Sequence, residues 1–161
     1  VYAAKAKLYG WARDGRDDMC DIDPDTGRKV WFKTNSQGWK DVEHAFEKPE
    51  GVVRILFVGD SNTWGVVPRD SLYTRLVEKL LRERGCKNVE VISMGLPGWG
   101  TDHALEALKN EGMKYQPDLV IYQFCANDVT DNLMPMDGTP DDAPQWRKPL
   151  GRNAQIVNDA D

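Results

Sequence analysis

The strongest pattern along the chain is a near-continuous apolar run, Val52-Val53-Arg54-Ile55-Leu56-Phe57-Val58, closed by Gly59. A β-branched run of that kind, without polar alternation, predicts a central strand of a parallel sheet, buried on both faces. Leu72, Leu76, Val77, Leu80 and Leu81 then recur at helical spacing, and Gly85 stands where a C-terminal cap would. The unit repeats in kind. Residues 89–94 predict a second strand, 95–100 a Gly/Pro-rich loop, and Thr101 an N-cap for a helix carrying Ala104, Leu105 and Leu108 to about Gly112. After Pro117-Asp118, residues 119–125 predict a third buried strand. Alternation of strand and helix implies right-handed crossovers, so the expected fold is α/β: a three-layer, flavodoxin-like parallel sheet with helices on both faces.

The flanks are different. Residues 1–50 form an N-terminal extension with few periodic signals: a turn cluster at 21–27, then a short strand at 29–33 alternating around Trp31. The alternating carboxylates of the turn precede Gly27 by one place too many for a calcium loop, and the twelfth position is Phe32, so the segment reads as a solvated turn and no metal is expected. Residues 51–132 hold the α/β core. From 133 to 161, Pro135, Pro140, Pro144 and Pro149 with Gly138 and Gly151 predict loop, or the start of a missing C-terminal half, apart from a short strand at 155–157.

Composition removes several partners. Twenty-one Lys and Arg are interspersed among 26 Asp and Glu, a net charge of −5, with no basic stretch to track a phosphate backbone, so nucleic acid is excluded. The longest apolar runs fall far below the roughly 18 residues of a membrane span. Cys20, Cys86 and Cys125 are isolated, with no paired spacing for zinc, and nothing implies a cofactor. The chain starts at Val1 without a leader-like segment, which fits a processed exported or periplasmic protein and a trimmed chain alike.

In open parallel sheets, ligands bind beyond the carboxyl ends of the strands. There the sequence places Gly59-Asp60-Ser61-Asn62-Thr63, Gly95-Leu96-Pro97-Gly98-Trp99-Gly100 and Ala126-Asn127-Asp128. A serine just past a buried strand, behind a glycine that permits a tight turn, suits a nucleophile; it also suits an N-cap. Gly98 offers a backbone N–H with no side chain in the way, or is a plain turn glycine. Asn127 offers a directed pair of N–H donors for an oxyanion, or caps its loop.

Together these blocks resemble the SGNH (GDSL-type) hydrolases. The resemblance makes Ser61 of Val58-Gly59-Asp60-Ser61 the nucleophile and puts Gly98, Asn127 and the Ser61 N–H in the oxyanion hole, with Asp60 and Asp128 as supporting residues. Thr34-Asn35-Ser36-Gln37-Gly38 is similar to a segment of bacterial members with a leading extension, and the likeness runs over about residues 30–132. It implies a serine ester hydrolase that cleaves O-acyl esters of small molecules or carbohydrates through an acyl-enzyme.

The likeness stops short of the family's C-terminal Asp-x-x-His block. The chain has two histidines, His44 and His103, and both precede the third strand. Asp41-Val42-Glu43-His44 has the spacing but lies before the nucleophile strand, and His44 reads as a surface residue. The family's sheet has five strands, three of which are found here, so the chain is expected to continue past Asp161 with two more strands, a helix and the missing dyad. Without them, the open sheet edge is a place for a protein partner. The alternative is an inactive SGNH-fold accessory or binding subunit, in which Trp64 and Trp99, on the loops beside Ser61 and Gly98, stack on a sugar or line a protein contact. Packing between extension and core is the other role open to them.

Overall fold

The computed structural model describes residues 19–132, so the strand expected at 155–157 lies outside the described residues. An antiparallel hairpin leads, β1 (Met19–Ile22) against β2 (Lys29–Phe32). The main sheet follows, with β3 (Val53–Gly59), β4 (Val89–Gly95) and β5 (Leu119–Gln123) all parallel in the order β4-β3-β5. Between them run the one-turn helix α1 (Ser61–Trp64), α2 (Tyr73–Glu83) and α3 (Thr101–Asn110), and α4 (Asp128–Asp131) comes after β5.

Alternate side chains of β3 and β4 feed two cores, which is why their runs are apolar on both faces. Leu56, Val58, Ile92 and Met94 pack with Ala104 and Ala107 of α3, while Phe57, Val89 and Val91 meet Tyr73, Val77 and Leu81 of α2. The two helices therefore cover opposite faces, giving the α/β layering that the alternation predicts. Gly85 ends α2 at φ +101°, a left-handed position that glycine takes without strain.

Two departures from the sequence pattern have physical causes. The run at 119–125 looks buried on both faces, yet Leu119 is 49% exposed and Phe124 58%, because β3 is the only described strand beside β5. The extension departs in the opposite direction. Asn35 folds residues 35–42 into a tight loop: its Oδ1 accepts from the Gln37 and Trp39 N–H groups and its Nδ2 donates to the Val42 carbonyl at 3.0 Å. That loop drives Trp39, fully buried, into the core beside Leu56, Met94 and Trp99. His44, read as a surface residue, has a side chain only 6% exposed, with Nε2 3.3 Å from Asp41 Oδ2 but not aligned as a hydrogen bond.

The outer edge of β4 is closed by carboxylates. Asp41 Oδ2 accepts from Ser93 N and Glu78 Oε2 from Val91 N, each at 2.7 Å, and Arg75 lies between the two acids at 3.1 and 3.2 Å. Charged side chains on an edge N–H row deny it to another strand.

Candidate active site

Gly59, Gly95 and Gln123 lie side by side in register, so all three following loops start from one level of the sheet. Thr63, fully buried, lies across those strand ends. Its Oγ1 donates to Gln123 Oε1 and shares a hydrogen bond with the Tyr73 hydroxyl, both at 3.1 Å. A Cβ on Gly59 would collide with Thr63 Oγ1, and one on Gly95 would lie 2.7 Å from Thr63 Cγ2 and 3.0 Å from the Asp60 carbonyl. Glycine ends both strands because the α1 turn presses against them.

Ser61 opens α1 with its side chain exposed at the rim. Asp60, 1% exposed, caps that turn through Oδ1, which accepts from Asn62 N at 2.9 Å. Its Oδ2 faces Asn127 Nδ2 at 3.3 Å. The carboxamide is gripped more firmly from the other side, where Nδ2 donates to Asp131 Oδ2 at 2.7 Å. Gly98 is exposed at φ +80°, and open space surrounds the place of its missing Cβ. Its loop is pinned to the Ser61 turn by Leu96 N donating to the Gly59 carbonyl at 3.3 Å. Among the described residues no acceptor meets the N–H of Ser61 or of Gly98. The structure thus brings the Asn127 carboxamide to the residue before Ser61 and hangs Gly98 from the same turn.

Asp128 is buried beneath. Its Oδ2 accepts from the Tyr122 hydroxyl and from Cys125 N, closing the loop that carries Asn127. Burial, then the bond to that carboxylate, pushes the Tyr122 phenol up to about 12. Trp64 and Trp99 depart from the stacking expectation: their rings are 4% and 3% exposed and turn inward. Trp64 meets Phe32 edge-on at 5.1 Å and Trp99 meets Trp39 at 5.8 Å, so both join the extension to the core. Among the described residues no group of three His, Cys, Asp or Glu side chains is arranged to hold a metal, and no helix is long and apolar enough to cross a membrane.

His103 is buried in the first turn of α3, and its Nδ1 accepts from Gly100 N at 3.2 Å, which leaves the ring proton on Nε2. Burial holds its pKa below the ordinary 6.5, against the opposing charges of Asp102 and Asp131. The unfolded chain then takes up the proton first, so stability from this group is complete above pH 6.5 and declines as pH falls through the lower folded value. We expect NMR to show the His103 ring titrating below 6.5; titration at or above that value contradicts the buried, Gly100-bound ring.

A model of the GDSL-like Lipase/Acylhydrolase family matches residues 57–158, from within β3 across all three rim loops. The chain belongs to that family. A comparison with curated proteins gives no match. Membership in the GDSL-like lipases and acylhydrolases suggests a hydrolase of the SGNH type with a small-molecule ester as substrate. In this GDSL-like chain, several residues that build the rim escape sequence reading. Glycines at the ends of two adjacent strands signal a close approach there, but nothing local names Thr63 as what approaches. Asp131 could have been found, four residues beyond Asn127 on a helical turn.

Proposed function

We propose that this GDSL-like hydrolase is a serine ester hydrolase acting on O-acyl esters, with Ser61 as nucleophile. Ser61 Oγ attacks the ester carbonyl carbon as a general base takes its proton and then returns it to the departing alcohol; the carbonyl π electrons move to oxygen, and the resulting oxyanion is held by the N–H groups of Ser61 and Gly98 and by Asn127 Nδ2. Collapse expels the alcohol and leaves an acyl-enzyme, which water hydrolyses by the same route. His103 is not the general base in this reading, because its Nδ1 is bound to Gly100 N.

The observation that carries the reading is the contact between Asn127 Nδ2 and the carboxylate of Asp60, the residue before Ser61, at 3.3 Å. The use of His103 Nδ1 by Gly100 N and the packing of the His44 side chain against Asp41 favour a second reading, a binding subunit that keeps the fold without the base. A fluorophosphonate probe separates the two. The hydrolase reading expects an adduct that maps to Ser61 and vanishes in Ser61→Ala; an unlabelled wild-type chain, or one labelled at another serine, supports the binding subunit.

A further inference from the structure

The tight loop at 35–42 has no part in the reaction as written, yet three consecutive side chains leave it for three parts of the core. Trp39 Nε1 donates to Glu111 Oε1 at 2.7 Å, and its ring packs on Trp99, the neighbour of Gly98. Asp41 holds the edge of β4 through Ser93 N. Between them, Lys40 Nζ donates to the Gly65 carbonyl at 2.7 Å, and the Gly65 N–H in turn donates to the Ser61 carbonyl at 2.8 Å. Lys40 is therefore one peptide group removed from the turn that presents Ser61, on a backbone whose neighbours are tied to the Gly98 loop and to the sheet.

We propose that Lys40 is a positioning residue of the reaction centre: it fixes the far end of α1 through the Gly65 carbonyl and the Trp64 ring, and so sets Ser61 relative to the Gly98 loop. The inference rests on the reading of Ser61 as nucleophile. Its physical ground is what an ammonium gives at this place. The Lys40 side chain is 1% exposed, with Nζ 3.1 Å from Asp21 Oδ2 and over the rings of Phe32 at 4.3 Å and Trp64 at 5.3 Å. Burial holds its pKa below the ordinary lysine value, with Asp21 opposing. A methionine could still fill the space, at the cost of leaving Asp21 without its cation. A methyl group, however, cannot aim a hydrogen bond at the carbonyl on which α1 ends.

The test is fluorophosphonate inactivation of wild type, Lys40→Met and Lys40→Arg, resolved into probe binding and the chemical step, below the melting temperature of each. Lys48→Met serves as the control, since it breaks the Lys48–Asp118 pair away from the α1 turn. Lys40→Met is expected to slow the chemical step by about 10- to 100-fold, as a small displacement of a reacting atom does. Probe binding should stay within about twofold of wild type, the split that marks misplacement rather than a lost subsite. The control should label at the wild-type rate even if it melts earlier. A folded Lys40→Met that labels like wild type overturns the proposal and leaves the Ser61 reading intact; an unlabelled wild type overturns both. If Lys40→Met does not fold, Lys40→Arg, which keeps the charge but moves the donors, is read by the same two outcomes.

Discussion

Alanine at position 127 will slow ester turnover by about 10²- to 10³-fold, the usual cost of one oxyanion donor. The geometry makes the loss specific to the transition state. Asn127 Nδ2 has two partners of unequal quality, Asp131 at 2.7 Å and Asp60 at 3.3 Å. The shorter bond, to a carboxylate four residues on in the same helical turn, fixes the carboxamide; in the proposed reaction the longer one is the bond a developing oxyanion displaces. Asn127 is exposed, and Asp60 keeps Asn62 N at 2.9 Å when the carboxamide goes, so the fold should survive. Steady-state kinetics on a simple aryl ester, with circular dichroism as the folding check, gives the answer. A fall in kcat under about threefold would take Asn127 out of the mechanism, because a donor used only in the transition state must show in kcat.

The rim could be read in the chain because it depends on local chemistry. A buried strand announces itself by an apolar run, a glycine marks where the backbone must turn closely, and each of the three rim loops begins within two residues of where its run ends. The placement of Ser61, Gly98 and Asn127 on loops at one end of the sheet was legible for that reason. What could not be read is held by contacts between distant positions. Trp39 reaches Glu111 across 72 residues and Asp41 reaches Ser93 across 52, and neither pair leaves a periodic trace. The segment around them therefore looks featureless, although it places a fully buried tryptophan in the core. β1 was missed for another reason: Met-Cys-Asp-Ile has no alternation, and its register is set by β2 across a turn. Arg54, inside the run that defines the central strand, is tied to Glu90 and to three carbonyls by bonds that no local pattern signals.

Arg54→Met is expected to cost about 3–5 kcal/mol of stability, the scale for removing one member of a buried, fully bonded charge cluster. The Arg54 side chain is 1% exposed. Its Nε donates to Glu90 Oε2 at 2.7 Å, and its two terminal nitrogens donate to the carbonyls of Phe46, Tyr115 and Glu47 at 3.0, 2.7 and 3.1 Å. Glu90 can turn to water when the guanidinium is lost, since its side chain is 27% exposed. The Tyr115 carbonyl has no such outlet, since its bond to Arg54 is buried, and an orphaned polar group there carries its full desolvation penalty. Urea unfolding with an unchanged m-value measures the loss, and a figure under about 1 kcal/mol would mean the carbonyls find other donors. Arg54 lies five residues before Gly59, roughly 16 Å down the strand from the rim at 3.3 Å per residue. Below its melting point the variant should therefore label at Ser61 as wild type does, whereas Lys40→Met, read below its own melting point, should lose its rate. The two substitutions pull apart what holds the sheet together and what aims the serine: each removes a buried cation, and a slowed labelling step in only one of them could not come from general destabilisation.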